Sequence, residues 1–180
     1  GTPRDRYNNL RQLHEVLAGD AQAKERVDVA IEMARLAQDV LGARDLAVDA
    51  WRRVLADEPG HASAFKALKQ HYETGERWHA EVELLNQKIA LFGPDEVGPT
   101  VDALFELAEI YRDPDKLNMV DMVIATHRRI REISPTNTRA LDSLAQSYKD
   151  TERWPELVNV LRDKVTQTDD PKELLEIFSE

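Results

Sequence analysis

The sequence predicts an all-α fold made of antiparallel helix pairs, with about nine to ten helices. Apolar residues recur at i, i+3, i+4 and i+7 along most of the chain, which places them on one face of an α-helix. Glycine and proline are scarce, with seven and eight residues among 180, and most of them stand between the periodic segments. The chain also repeats itself, and no segment shows the alternation typical of a strand.

The repeat has a period of 76 residues. The segment 51–54, Trp-Arg-Arg-Val, corresponds to 127–130, His-Arg-Arg-Ile, and the tripeptide Glu-Arg-Trp occurs at both 76–78 and 152–154. Each matching stretch contains more than one apolar stripe, so the period is a double unit. Periodic helical segments of this length are typical of stacked repeat proteins, in which neighbouring units bury a continuous core.

The stripes and the breaks between them define the helices in order. The predicted helices cover 5–18, 24–41, 44–57, 61–74, 78–92, 99–112, 118–133, 137–150, 154–167 and 171 onward. Gly42, Gly75 and Pro114 fall in the gaps, where helices commonly end. Asp170, followed by Pro171, has the sequence of an N-cap and a first-turn proline.

These helices group into one predicted repeat domain over 1–180. A trailing helix at 5–18 precedes full pairs at 24–57, 61–92, 99–133 and 137–167, and 171–180 begins a further unit. Because the sequence stops within that last predicted helix, we expect the chain to be a fragment of a longer protein.

Several of these residues resemble the tetratricopeptide repeat (TPR) family. The matching positions are Pro135, Ala140, Leu141, Leu144, Ala145 and Tyr148, and again Pro59, Ala64, Phe65, Leu68 and Tyr72. The units are irregular, and Lys69 replaces a small residue of the family pattern. The tryptophans that open alternate second helices, Trp78 and Trp154, are similar to those of a divergent subgroup of large bacterial repeat proteins. The resemblance implies a right-handed superhelix whose first helices line a concave binding surface.

The composition limits the partners. With 34 Asp and Glu against 24 Lys and Arg, the net charge of −10 repels nucleic acid and anionic membranes and slightly favours a basic protein partner. No apolar run is long enough to span a bilayer. The absence of cysteine excludes thiol nucleophiles and thiolate metal sites. The compartment stays undetermined, with the cytoplasm slightly favoured.

A search for catalytic or metal-binding motifs finds none that is convincing. The histidines lack the spacing of a zinc site, although His71 and His79 flank one turn and could meet. Asp113-Pro114-Asp115 lacks the central glycine and the distal glutamate of a calcium loop, and we expect it to end a helix. We therefore expect no enzyme activity, no cofactor and no metal.

Two repeated features have structural explanations. Trp51, Trp78 and Trp154 lie in the helical stripes, so we expect them in the core. The pairs at 52–53 and 128–129, Arg-Arg in both cases, are expected on solvated outer faces with acids nearby, and not as an RNA-binding stripe.

The resemblance places the off-stripe residues of the first helices on the concave wall. The candidate partner-binding residues are Arg35, Gln38, Lys66, Gln70, Glu73, Phe105, Glu109, Arg112, Asp142, Gln146 and Lys149. They mix both charges with one aromatic, which suits a peptide or helix with alternating charges and one apolar anchor. Chaperone-tail binders of the family clamp a terminal carboxylate, and Lys66, Gln70 and Arg139 approach that pattern. Glu106 and Ser143 stand where an amide and a cation are expected, which argues against such a clamp.

We therefore expect a non-catalytic scaffold that binds a peptide or helix of a partner protein. An RNA-contacting α-solenoid and a regulatory module of a larger enzyme remain as alternatives, because fold alone does not decide function.

Overall fold

The computed structural model describes residues 1–167, which form nine α-helices, two short irregular helical turns and no strand. The helices are α1 (Pro3–Val16), α2 (Ala23–Arg35), α3 (Arg44–Asp57), α4 (Ala62–Thr74), α5 (Trp78–Leu91), α6 (Val97–Arg112), α7 (Val120–Ile133), α8 (Thr138–Asp150) and α9 (Trp154–Gln167). The all-α prediction is confirmed for this part of the chain. The helix predicted from 171 lies outside the described residues.

The chain divides into two compact units. Unit 1 covers Gly1–Leu91 and contains α1 to α5, and unit 2 begins at Phe92 and contains α6 to α9. Within each unit, every helix packs against the next one along the chain. Each unit is therefore an array of consecutively packed helices, and the grouping into the pairs 24–57, 61–92, 99–133 and 137–167 stays a prediction. The single repeat domain over 1–180 stays a prediction.

The predicted boundaries fail most clearly at the end of α2. The regular helix ends at Arg35 and continues as one wide turn over Leu36–Val40, in which the Leu41 N–H donates to the Leu36 carbonyl at 3.0 Å. Gly42 follows with φ +57°, a left-handed conformation that costs glycine little. A wide turn of this kind has no local sequence signature, and it redirects the chain into α3.

Corresponding positions of the repeat cap corresponding helices. The His61 Nδ1 accepts from the Ala64 N–H at 3.1 Å, and the Asn137 Oδ1 accepts from the Ala140 N–H at 3.0 Å. Each bond satisfies one of the free N–H groups at a helix start. His61 and Asn137 are 76 residues apart, so the N-caps follow the sequence period.

The turns that follow α4 and α8 are also alike. Glu76 and Glu152 have left-handed φ values of +53° and +56°. The next residue closes both turns, because the Arg77 N–H donates to the Tyr72 carbonyl at 2.8 Å and the Arg153 N–H donates to the Tyr148 carbonyl at 2.8 Å. The repeated Glu-Arg-Trp sequence therefore encodes one turn geometry.

Small and large apolar residues of the predicted helical stripes pack between neighbouring helices. Ala34, Ala108 and Ala145 are buried at the small-residue positions of the repeat, which allows close helix packing. Lys69, at the corresponding position of α4, keeps its side chain about one-third exposed and pairs with Glu73 at 3.6 Å. The structure thus accommodates Lys69 at the edge of the core.

The three tryptophans differ in burial. Trp51 is 5% exposed and Trp78 is partly buried, but Trp154 is 55% exposed, so the prediction of a core role for Trp154 was wrong. The reason is the orientation of α9, which buries Leu157 and Val160 in the contact with α8. Trp154 lies off that buried face.

Candidate functional site

A polar cleft in unit 1 lies where the wide turn after α2, the start of α3 and the end of α4 meet. This first cleft has a volume of about 280 Å³, and its lining residues are Gln38, Gly42, Arg44, Gln70, His71 and Thr74. Gln38 and Gln70 are candidate residues from the sequence. The structure therefore brings together two predicted residues from different helix pairs.

The polar groups of the first cleft are partly satisfied by one another. The His71 Nε2 lies 3.3 Å from the Gln38 Oε1, and the Thr74 hydroxyl donates to the Gln70 carbonyl at 2.7 Å. Burial, and then the positive charge of Arg44, lower the pKa of His71 below its ordinary value of 6.5. His71 is therefore neutral at pH 7, and its Nε2 donates to the Gln38 Oε1 when that ring nitrogen carries the proton.

Arg44 sets the charge of the first cleft. Its side chain is exposed and forms no ion pair within residues 1–167, and none of the six lining residues is acidic. An unpaired guanidinium presents several N–H donors in a planar fork suited to carboxylates. The first cleft is therefore an environment that favours an acidic group.

A second cleft lies in unit 2, between the end of α6, the start of α7 and α8. It has a volume of about 520 Å³, and its lining residues are Arg112, Asn118, Val120, Val123, Asp142, Ser143, Gln146, Ser147 and Asp150. Three of these, Arg112, Asp142 and Gln146, are candidate residues from the sequence. The second cleft therefore contains more of the predicted residues than the first cleft does.

The second cleft has the opposite charge balance. Arg112 lies 3.7 Å from Glu109, which offsets its charge, and the Gln146 Nε2 donates to the Asp150 Oδ1 at 2.6 Å. Asp142 pairs with Lys164 of α9 at 3.2 Å. Glu109 offsets the charge of Arg112 and Lys164 offsets that of Asp142, which leaves Asp150 as the excess charge of the lining, so this cleft favours a basic or amide-bearing group.

The two clefts occupy corresponding places in the repeat. Gly42 and Asn118 are 76 residues apart, as are Gln70 and Gln146, and both members of each pair line their cleft. Asn118 has φ +50°, matching the left-handed Gly42, and asparagine is one of the few residues that adopts this conformation readily. The turn geometry is shared while the charged residues differ.

The remaining candidate residues do not line either cleft. Arg35 and Lys66 are exposed, Glu73 pairs with Lys69, and Glu109 pairs with Arg112. Lys149 lines a small neighbouring cavity of about 70 Å³ with Asp142 and Gln146. These residues share helices with the clefts, and their role in binding stays a prediction.

Phe105 is covered by other residues of unit 2. Its ring is 6% exposed, lies edge-on to His127 at a centroid distance of 5.7 Å, and has the Arg139 guanidinium over its face at 4.0 Å. The expected apolar anchor on an open wall is therefore a packed side chain in this structure. The same contact engages Arg139, one of the residues that approach the carboxylate-clamp pattern.

Sequence reasoning missed the cleft residues that come from loops and helix ends. Arg44, His71, Asn118 and Asp150 were not candidates, although each lines a cleft. One signal was present, because Gly42 and Asn118 both favour left-handed turns and stand one period apart. The equivalent positions of these two residues indicate that the loop after the first helix has the same conformation in both units.

Metal and membrane sites have no support in the described residues. Residues 1–167 contain no cluster of three His, Cys, Asp or Glu side chains that could hold a metal ion. His71 contacts Gln38, while His79 is exposed. None of the helices α1 to α9 has the length and apolar character needed to cross a bilayer.

Comparison with known proteins finds similarity to solved helical-repeat structures. One crystal structure of MamA is 19% identical, covers 78% of this chain and 77% of that chain, and has a TM-score of 0.46. A second MamA structure is 18% identical, covers 92% and 89%, and has a TM-score of 0.46. A Podosopora anserina putative kinesin light chain with TPR-like repeats is 20% identical, covers 89% and 84%, and has a TM-score of 0.44. No protein-family model and no curated protein sequence matches the chain.

Proposed function

We propose that the protein is a non-catalytic scaffold that binds segments of partner proteins in its two clefts. The first cleft takes an acidic side chain through Arg44, and the second takes a basic or amide-bearing side chain through Asp150. The observation that carries the proposal is the recurrence of one cleft geometry in both units with opposite charge.

The form of the clefts favours protein segments as ligands. Each cleft combines glutamine, hydroxyl and charged groups and lies against a left-handed turn, so a bound segment meets both donors and acceptors. Their polar lining and small size favour charge-selected, modest affinity. A longer partner gains affinity when it contacts more than one such site.

The arginine pair at 52–53 gives the RNA alternative little support. The Arg52 Nε donates to the Tyr72 hydroxyl at 2.8 Å, and the Arg53 Nε donates to the Asp49 carboxylate at 3.0 Å. Both side chains are thus engaged within unit 1.

A peptide selection on the full chain tests the proposed function. A displayed library of unstructured segments of about 12 residues should yield acidic and basic families. Arg44→Glu should weaken the acidic family by about tenfold or more and leave the basic family unchanged, and Asp150→Lys should do the reverse, as measured by fluorescence anisotropy. Each variant is the matched control for the other.

Two results would overturn the proposal. One is a set of selected peptides whose affinity neither variant changes while circular dichroism shows both variants folded. The other is salt-sensitive affinity for RNA at near-physiological ionic strength together with no selected peptide.

A further inference from the structure

Unit 1 contains a larger apolar groove on a different face of α4 from the first cleft. The groove has a volume of about 600 Å³, and its lining residues are Arg52, Leu55, Ala56, Pro59, Leu68, Tyr72, Ala80, Glu83, Leu84, Gln87, Ala90 and Leu91. Leu68 faces the groove and Gln70 faces the cleft, and residues two positions apart point about 200° apart around a helix. The groove is therefore a surface separate from the clefts.

The groove has an apolar floor and apolar walls. Leu68 and Tyr72 of α4 form a buried floor, with Leu84 of α5 beside them. Leu55 of α3 is partly buried at one wall, and Leu91 at the end of α5 is 50% exposed. A concave site of this volume with mostly apolar lining is typical of a binding pocket.

The charged residues at the rim favour a cation. Arg52 is held within the groove by its hydrogen bond to the Tyr72 hydroxyl, and its guanidinium lies over the Tyr72 ring at 5.7 Å. Glu83 is exposed and forms no ion pair within the described residues of the chain. Arg52 is also exposed and keeps its charge, but its guanidinium is engaged by Tyr72, so Glu83 is the charged group of the lining that is left open to a cation of a partner.

In unit 2, the positions one period after the groove residues form polar contacts with one another. Arg131 and Asp163, one period after Leu55 and Gln87, form an ion pair at 3.0 Å between α7 and α9. The Gln167 Nε2, one period after Leu91, donates to the Pro135 carbonyl at 3.0 Å. These positions are therefore joined by an ion pair and a hydrogen bond in unit 2, whereas in unit 1 they line an open, apolar groove.

We propose that the apolar groove of unit 1 docks an amphipathic helix of a partner protein. Two large apolar side chains of that helix, one turn apart, pack on Leu55, Leu84 and Leu91, and a lysine or arginine beside them pairs with Glu83. Two helices, α3 and α5, already flank the groove, and an added helix with an apolar face is a common occupant of such a site. The cation requirement follows from Glu83.

The experiment is a selection of displayed single-helix peptides on the full chain, with affinity measured by fluorescence anisotropy. The selected helices should share two large apolar residues at i and i+4 (or i+3) and a neighbouring Lys or Arg. The double variant Leu55→Arg, Gln87→Asp installs the unit 2 ion pair and should weaken binding about tenfold or more. Glu83→Lys should weaken the same peptides, and Arg44→Glu in the first cleft should leave them unchanged.

Leu91→Gln installs the other unit 2 residue at an exposed position and serves if the double variant fails to fold. Selected helices that bind both folded variants as tightly as the original chain would overturn the proposal, as would a selection that yields no helix with the predicted face. A concentration-dependent dimer that these variants abolish in analytical ultracentrifugation would also overturn it, because the occupant would then be a second copy of this chain.

Discussion

The Arg77 guanidinium donates to the Asp45 carboxylate at 2.8 Å, linking the turn after α4 to the first turn of α3. One period later, Arg153 donates to Asp121 at 2.5 Å and links the turn after α8 to the first turn of α7. The same side chains hold the same elements in both units. The 76-residue period therefore applies to tertiary contacts as well as to the amino-acid sequence.

Removing either ion pair should lower the free energy of unfolding by a small amount that is similar for the two pairs. Both pairs are substantially exposed, and exposed pairs contribute about 0–1 kcal/mol because water and side-chain entropy offset the attraction. We expect Asp45→Ala and Asp121→Ala each to lower the free energy of unfolding by less than about 1 kcal/mol in urea denaturation. A loss above about 2 kcal/mol in either variant would show that the pair does more than orient the turn.

Tryptophan truncations should separate the core position from the surface position. Trp51→Ala removes a ring that is 5% exposed and should cost about 3–5 kcal/mol. Trp154→Ala removes one that is 55% exposed and should change stability by about 0.5 kcal/mol or less. Urea denaturation of both variants gives the comparison, and equal losses would contradict the orientation of α9.

The left-handed turn after α2 should tolerate only glycine-like residues. Gly42 has φ +57°, and a Cβ added there would meet no atom within 4 Å, so any loss in Gly42→Ala comes from backbone conformation. We expect a loss of about 1–2 kcal/mol for this variant. Gly60→Ala is the matched control, because Gly60 also has open space and lacks a positive φ. Equal stability of the two variants by thermal denaturation would contradict the turn assignment.

Acid should destabilise the fold through buried histidine. Burial lowers the pKa of His127 below 6.5, and the hydrogen bond between its Nδ1 and the Val123 carbonyl only partly opposes this. Below pH 6.5 the unfolded chain therefore takes up a proton more readily than the folded chain. Stability is full above that pH and falls as the pH drops towards the lowered folded pKa.

The measurement is the free energy of unfolding between pH 7.5 and 5.5, with His127→Phe beside the original chain. The variant removes the titrating group, so its curve should be flatter. His14 and His71 also have lowered pKa values, so a residual slope is expected. An unchanged slope in His127→Phe would contradict the assignment.

The sequence predicted the helices well because local signals define them. The bounds of α3 and the start of α9 match the prediction, since apolar stripes and adjacent breaks coincide there. The wide turn at Leu36–Val40 was not predicted, because its i to i+5 bonding depends on packing around it. The burial of Trp154 was predicted wrongly for a similar reason. The apolar stripe of α9 does not specify which of its residues contact α8.

The candidate site was predicted less completely than the helices. Gln70, Gln146 and Asp142 lie on first-helix faces whose position follows from helical periodicity, so a pattern could identify them. Arg44 and Asn118 reach the clefts from a helix start and a loop, where side-chain position depends on the turn. Phe105 was expected on an open wall, but Arg139 from a neighbouring helix covers it.

The most direct test of the scaffold account is a nuclear magnetic resonance titration of the isotope-labelled full chain with a selected acidic peptide. The account predicts amide shift changes confined to the first cleft, at Gln38, Gly42, Gln70 and Thr74, and their loss in Arg44→Glu. Shift changes centred on Arg52 and Arg53, or spread without relation to the cleft, would contradict it.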